Sequence, residues 1–378
     1  MSTSVPSFSS LPSLPIVDIG KGEPDFHTPD HIKRAAHEAI DANFTKYTPQ
    51  PGIDALREAV AAKFEGENGI RVSPADVVVS CGGKHSVEQA IRATIGPGDE
   101  AVILTPHWFA YPHQVHLAGG RPVLVPLDET HGYAVNATAV RRAITPKTRL
   151  LIINSPANPT GAVFSRVQLT ELAALAVEHG LLVLSDEVYE RLVYEGAEHV
   201  SIASLDDDIA SRTITVNSVS KTHAMTGWRI GYAALPDNLA RRVTGIQQNS
   251  TSAPCAISQR AALAALTGTQ EHVERMVAAY AARRNLLLRL LKDIPEFSST
   301  VPAGTFYCFV NMAAWIGRVL NKREIRGADD FAAVLLDAAR VRVVPATEFG
   351  SEKHIRLSFA VSEEALQEGL GRVKSLLS

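Results

Sequence analysis

At 378 residues the chain can bury a large core with a smaller unit beside it, and its 46% hydrophobic and 20% charged residues exclude a disordered protein. A formal net charge of -3 gives no reason to expect nucleic acid as a partner. No apolar run approaches the ~20 residues of a membrane span, so no membrane partner is expected.

The first fifteen residues, MSTSVPSFSSLPSLP, lack a basic start and a continuous apolar segment, and read as a loose polar arm rather than a signal peptide. A short strand-like piece with a Gly and Pro turn follows (IVDIGKGEPDF, 16–26). Thr28 and Pro29 then read as an N-cap and a first-turn proline, opening a helix through Ala42. The loop KYTPQPG, holding Tyr47, leads to a second helix from Ile53 to Phe64.

From Asp76 onward short apolar strands alternate with helices. The strands are 77–80, 101–105, 122–126, 150–155, 181–185, 213–218 and 228–234; helices are expected at 84–95, 109–118, 136–144 and 165–179. Continuous apolar strands separated by helices mean a sheet buried on both faces, hence an α/β layer with a mostly parallel seven-stranded sheet flanked by helices. Helices at 237–249, 256–267 and 270–291 follow, the last long enough to bridge to another unit. Strands at 304–312, 341–345 and 354–360, set between helices at 329–340 and 363–376, indicate a smaller α+β domain. The expected organisation is an arm and helix packing on the small domain (1–45), a large domain (46–280) and a small C-terminal domain (281–378).

Ligands in open α/β sheets bind at the carboxyl ends of strands, so the polar residues that follow each apolar run are the candidates. Gly82, Gly83 and Lys84 place backbone N–H groups at a helix start, where anions bind. Trp108 offers a flat face, though tryptophan more often packs in a core. Asn158 could bond a ring oxygen, although Asn-Pro also starts turns. Asp186 at a buried strand end must be paired, capped or functional, with Tyr189 beside it. In NSVSKTHAMTGWRIG (217–231), two strands ending at a turn would hold Lys221 and Arg229 around one small charged molecule, with Ser218 nearby. Enclosure and a cationic neighbour both lower a lysine pKa toward nucleophilic use. Cys81, Cys255 and Cys308 lie far apart with no metal-ligand spacing and read as reduced thiols in a cytoplasmic protein, so neither a metal nor a disulfide is expected. A lysine amine for a Schiff base, a carboxylate for a ring nitrogen and an anion cradle together describe a pyridoxal phosphate site.

GEPDF, KYTPQPGIDALREAVA, GGK, PHWFAYP, NSPANPTG, SDEVYE, SVSKTHAMTGWRIGY, GTFYCF and IRLSFA occur in one order over nearly the whole chain. In that order they resemble the fold-type I pyridoxal phosphate-dependent aminotransferases of class I/II, the aspartate aminotransferase-like family. The resemblance implies that Lys221 is the Schiff-base lysine, Asp186 the partner of the ring nitrogen, and Asn158 and Tyr189 the partners of the ring hydroxyl. It implies that Trp108 stacks on the ring, and that Gly83, Lys84, Ser218 and Arg229 form the phosphate cup. Tyr47 corresponds to a tyrosine reaching the neighbouring subunit's phosphate, which implies a homodimer with shared sites. Arg356 corresponds to the arginine that forks onto the substrate α-carboxylate, with Gly22 lining the same place. The implied reaction moves an amino group from an L-amino acid to a 2-oxo acid.

Substrate choice stays open at the level of sequence. Lys84 resembles a lysine that binds a substrate's distal carboxylate in one aspartate and prephenate subgroup, favouring aspartate or glutamate; equally, its backbone could serve the phosphate while its side chain meets solvent. His85 and His223 depart from that subgroup, which commonly has glutamine and tyrosine there. An arginine-like substrate would need an acidic residue such as Glu23 or Asp25. Aromatic substrates, and a lyase on the same fold, remain as alternatives.

Overall fold

The computed structural model describes residues 14–378 except Asp237 and Pro295. The expected polar arm therefore lies almost wholly outside the described residues. The chain runs β1 (Val17–Asp18), α1 (Asp30–Asp41), α2 (Asp54–Asn68), β2 (Val77–Ser80), α3 (Gly83–Thr94), β3 (Glu100–Thr105) and α4 (Ala110–Leu117). It continues through β4 (Arg121–Pro126), α5 (Ala137–Ala143), β5 (Thr148–Asn154), α6 (Arg166–Glu178), β6 (Leu182–Asp186), α7 (Asp207–Ala210) and β7 (Thr213–Ser218). Then come α8 (Val219–Thr222), β8 (Gly231–Ala234), α9 (Leu239–Gln248), α10 (Ala256–Thr267) and α11 (Glu271–Leu291). The C-terminal part holds β9 (Ser298–Ser299), β10 (Tyr307–Asn311), β11 (Val319–Leu320), β12 (Arg323–Glu324) and α12 (Ala328–Ala339). It closes with β13 (Val341–Arg342), β14 (Val344–Pro345), β15 (His354–Ser358) and α13 (Glu363–Leu377).

The expected α/β class is borne out. The large sheet has seven strands in the order β2-β8-β7-β6-β5-β3-β4. Its pairs are parallel except those that β8 makes with β2 and β7. Val78, Ile103, Ile152, Leu184, Ile214 and Val216 pack on one face against α3, α4 and α9. Val102, Leu151, Ile153 and Val183 pack on the other against α5 and α6. That two-sided burial is why these strands read as unbroken apolar runs rather than alternating ones. A second, antiparallel sheet, β14-β15-β10-β9, carries its own core with α11, α12 and α13.

Several expectations need correction. Residues 228–230 are not strand: Thr226–Trp228 is a single 3-10 turn and Arg229 adopts φ 56, so β8 starts at Gly231. Lys221 lies in the short helix α8, so it and Arg229 are held by a helical turn and a left-handed residue rather than by two strands. Residues 341–345 split, because Val341–Arg342 pairs with β1 and Val344–Pro345 with β15.

The first helix starts at Asp30, with Pro29 extended before it and no side-chain cap. The Thr28 hydroxyl is used elsewhere, donating to the Ala224 carbonyl at 2.7 Å and accepting from Trp228 Nε1 at 3.0 Å. The helix also packs differently from expectation. Ile32 and Ala36 bury against α2 and α10 through Leu56, Val60 and Ala261, while the segment before the helix joins the C-terminal part: β1 pairs with β13, the Ile19 carbonyl accepts from the Ser358 N–H at 2.7 Å, and Asp25 pairs with Arg283.

Candidate active site

β8 runs against the parallel strands, so its first residue, Gly231, lies beside the last residues of its neighbours β2 and β7, on the side of the sheet where β3, β5 and β6 also end. A cavity of about 630 Å³ opens there, roomy enough for a small ligand. Gly22, Gly83, Lys84, Trp108, Asn158, Asp186, Tyr189, Ser218, Lys221, Arg229 and Arg356 all line it. Of the residues singled out in the sequence, Tyr47 is not among the lining; it is 96% exposed. His223 is not among the lining either; it is buried, its Nδ1 lying 3.0 Å from His272 Nε2.

One end of the cavity is built for an anion. Gly82, at φ 89, precedes α3, whose first N–H groups at Gly83 and Lys84 have no acceptor within the helix. The Arg229 guanidinium lies against Gly82 so closely that a Cβ there would sit 2.2 Å from Nη2. Gly231 touches the same loop, its would-be Cβ 2.3 Å from the Gly83 nitrogen. Arg229 Nη1 donates to the Thr226 carbonyl at 2.7 Å, and Ser218 caps α8 through its Oγ, which accepts from the Ser220 N–H at 3.3 Å. Glycine is required at 82 and 231 because the loop, the strand and the guanidinium leave no room for a side chain.

At the centre, Asp186 is 4% exposed. Tyr111 donates its hydroxyl to Oδ2 at 2.6 Å, the Val188 N–H reaches Oδ1 at 3.4 Å, and Asn154 Nδ2 bonds the main-chain carbonyl at 2.9 Å. Burial pushes the carboxyl up to about 6, while the Tyr111 and Val188 bonds pull it back. Lys221 Nζ donates to the Gly22 carbonyl at 2.5 Å. Burial lowers the Lys221 pKa; Tyr307 opposes this, and the Arg356 and Arg229 guanidiniums add to it. Tyr189 and Tyr307 share a hydroxyl hydrogen bond of 3.2 Å.

At the far end, Arg356 donates from Nη1 to Asn158 Oδ1 at 3.0 Å and from Nη2 to the Gly20 carbonyl at 3.2 Å. Its guanidinium sits 4.1 Å over the Tyr307 ring, and its Nε is buried without a partner. A buried, unsatisfied guanidinium donor is a place for a carboxylate. Lys84 turns its side chain over the aromatic shelf, with Nζ 5.2 Å from the Trp108 ring centre and 5.0 Å from that of Phe109. Of the two acids considered for a guanidino substrate, Asp25 is committed to Arg283 at 2.9 Å, while Glu23 lines the cavity and accepts from Thr226 at 3.0 Å.

Tyr111 and Tyr307 were missed in the sequence. Tyr111 could have been found three residues after Trp108, since a buried Asp186 requires donors; Tyr307 looks like any core aromatic in GTFYCF. Glu187, Glu190 and His199 bring potential ligand atoms within 4.8 Å of one another. Protein groups already satisfy that cluster: the Lys63 ammonium pairs with Glu190, and Asn68 Nδ2 donates to Glu190 at 2.7 Å and Glu187 at 3.2 Å.

Comparison with known proteins gives a consistent result. The family model described as aminotransferase class I and II matches residues 15–373. The chain is 43% identical to an aspartate aminotransferase of Geobacillus stearothermophilus over 361 residues, 95% of this chain and 90% of that protein. It is 41% identical over 362 residues to an aspartate/prephenate aminotransferase of Cereibacter sphaeroides, again covering 95% and 90%. Among solved structures, aspartate aminotransferase from Thermus thermophilus with maleate aligns with a TM-score of 0.91 at 41% identity, covering 97% of this chain and 93% of that one. An aromatic aminotransferase from Pyrococcus horikoshii aligns with a TM-score of 0.91 at 39% identity, covering 98% of each chain.

Proposed function

Because the chain belongs to the class I and II aminotransferases and is a pyridoxal phosphate-dependent transferase, we propose that it moves the amino group of aspartate- or glutamate-type amino acids to a 2-oxo acid. The observation that carries the substrate class is that Lys84 and Arg356 bring two cationic groups into one cavity. A dicarboxylic substrate would satisfy both, its α-carboxylate on Arg356 and its distal one on Lys84. The names of the related aspartate aminotransferases, and the dicarboxylate maleate in one of them, support the same class. For a guanidino substrate the pairing of Asp25 with Arg283 leaves Glu23 as the acid of the two that lines the cavity.

The residues present fit the cofactor: the glycine cradle beside Arg229 leaves room for a phosphate, and a buried carboxyl stands at the cavity centre. Ser218, Arg229 and the Gly83 and Lys84 N–H groups would hold the phosphate, Asp186 the ring nitrogen, and Asn158 and Tyr189 the ring hydroxyl. Trp108 would lie on the ring and Lys221 would hold it covalently. When bound, pyridoxal phosphate supplies an aldehyde carbon that takes the amino group and a protonated ring that draws electrons from the substrate α-carbon. Freed when the substrate's amine takes its place on that carbon, Lys221 would act as the base. Burial favours its neutral amine, which accepts the α-proton at Nζ. Arg356 would fix the α-carboxylate so that this proton faces Nζ. Tyr47, exposed in one chain, would complete a second subunit's phosphate site in a homodimer. Three free cysteines agree with a cytoplasmic location.

The test is a panel of amino donors with purified enzyme, following formation of the oxo acid. Lys84→Ala should lower kcat/KM for aspartate by about 10–100-fold, as expected for a lost charged hydrogen bond, and leave alanine nearly unchanged. Equal losses for both donors would remove Lys84 from substrate recognition. Lys221→Ala should lower kcat for every donor by about 10²–10⁴; wild-type turnover in that variant would overturn the site.

A further inference from the structure

We infer that His85 is a positioning residue for the anion cradle, and that it holds the cradle only while its Nδ1 is unprotonated. This rests on the reading above that Gly83 and Lys84 present their N–H groups to the cofactor phosphate. The loop from Ser80 to Ser86 accounts for its other backbone donors internally. The Gly82 N–H donates to the Ser80 carbonyl at 2.8 Å, and the His85 and Ser86 N–H groups donate to the Gly82 carbonyl at 3.0 and 3.2 Å. The Cys81 N–H has no carbonyl among these; it donates to His85 Nδ1 at 3.2 Å. His85, three residues after the N-cap Gly82, thus reaches back over the helix start like the third residue of a capping box, but to the N–H one residue before the N-cap.

The consequence follows from the inventory of a neutral imidazole. An Nδ1 that accepts fixes the proton on Nε2. Adding a second proton turns Nδ1 into a donor facing the Cys81 N–H, so the bond becomes a repulsive contact. Gly82 and Gly83 are pressed against Arg229 and Gly231 with no slack, so the Cys81 end cannot move without shifting the donors of the cradle. Burial lowers the His85 pKa, Glu88 opposes that and Arg92 assists it; both lie on α3, and among the described residues no charged group on another element bears on the ring. A folded-state pKa below the ordinary 6.5 means that the contribution is full at neutral pH and is lost as pH falls through the folded value. A charge argument gives the opposite sign, since an imidazolium near a phosphate would tighten its binding at acid pH. The two effects are therefore separable by experiment.

The experiment follows release of pyridoxal phosphate from the purified holoenzyme by ultrafiltration and absorbance at pH 7.5, at pH 5.0 and in steps below it for as long as the holoenzyme stays folded. Three variants are compared with the parent chain: His85→Gln, which keeps an acceptor that does not titrate; His85→Phe, which has none; and Arg229→Gln. Parent and His85→Gln should release alike at pH 7.5. Once pH has fallen through the folded His85 value, the parent should release about three- to tenfold faster than His85→Gln, the loss of one hydrogen bond, and approach His85→Phe. A parent-to-Gln ratio that stays constant, or slower release from the parent at pH 5.0, overturns the inference. If His85→Phe fails to fold, the parent-to-Gln ratio still decides. Arg229→Gln separates the two levels: unchanged release there refutes the phosphate site itself, whereas faster release with a pH-independent His85 ratio refutes only the role of His85.

Discussion

Replacing Tyr111 by Phe removes the hydroxyl that donates to Asp186 at 2.6 Å while leaving the ring that packs against Trp108. Asp186 stands at about 6 rather than 3.8, chiefly through burial. Because the folded value is the higher one, the protonated carboxyl favours the folded chain. That stability is fully present below pH 3.8, is lost as pH rises through about 6, and amounts to about 3 kcal/mol. A hydrogen bond to an ionised group contributes about 1.5–3 kcal/mol, and 1.36 kcal/mol corresponds to one pH unit. Tyr111→Phe should therefore move the titration upward by about one to two pH units, to about 7–8. The assay is the thermal midpoint of the cofactor-free chain from pH 4 to 9, with Asp186→Asn as the reference that lacks the titrating group. Relative to that reference, the variant should go on losing stability beyond pH 6, where the wild-type difference has levelled. Superimposable wild-type and Phe curves would refute the argument that this hydroxyl holds the carboxylate in its ionised form.

Arg356→Lys keeps the charge but loses the fork, so kcat/KM should fall by about 10–100-fold for every amino acid donor; a loss confined to dicarboxylic donors would mean that Arg356 reads the distal group instead. Gly231→Ala places a methyl 2.3 Å from the Gly83 nitrogen and 2.4 Å from the Gly82 carbonyl carbon, backbone that cannot swing aside. It should destabilise the fold by about 1–3 kcal/mol and weaken cofactor retention, read by thermal melting and dialysis, whereas Gly245→Ala, with nothing near its Cβ, should do neither.

What was legible in the sequence follows from how strongly each feature constrains composition. Two-sided burial forces Val, Ile and Leu into continuous runs, so the central strands were found within a residue or two, and Asp186 and Ser218 stood out as polar groups ending such runs. Backbone geometry without a compositional signature was hidden. Trp228, Arg229 and Ile230 have strand-like side chains, yet Arg229 takes a left-handed φ that is rare for a residue with a side chain. Thr28 resembles an N-cap, but its hydroxyl gains two tertiary partners, Ala224 and Trp228, that lie nearly 200 residues away in the chain. The partner of a buried charge is hidden for the same reason: Tyr111 reads as core until Asp186 is seen to need a donor.

The position of Arg229 depends on the one strand that runs backwards. A parallel strand in place of β8 would need a crossover of a dozen or more residues, usually through a helix, to return to the other edge before entering the sheet. Its first residues would then lie at the amino ends of the neighbouring strands, about 10 Å or more from the cavity for strands of four to six residues. Running antiparallel, β8 can follow β7 without returning to the other edge, so the whole link of residues 219–230 that carries Lys221 stays at the carboxyl edge. Gly231 then pairs with Ser80 on one side and Ser218 on the other. The same link thus brings the lysine, the arginine and the glycine-rich start of α3 to one edge. The apparent cost, a left-handed arginine and glycines that tolerate no Cβ, is the condition for that convergence rather than a defect of the fold.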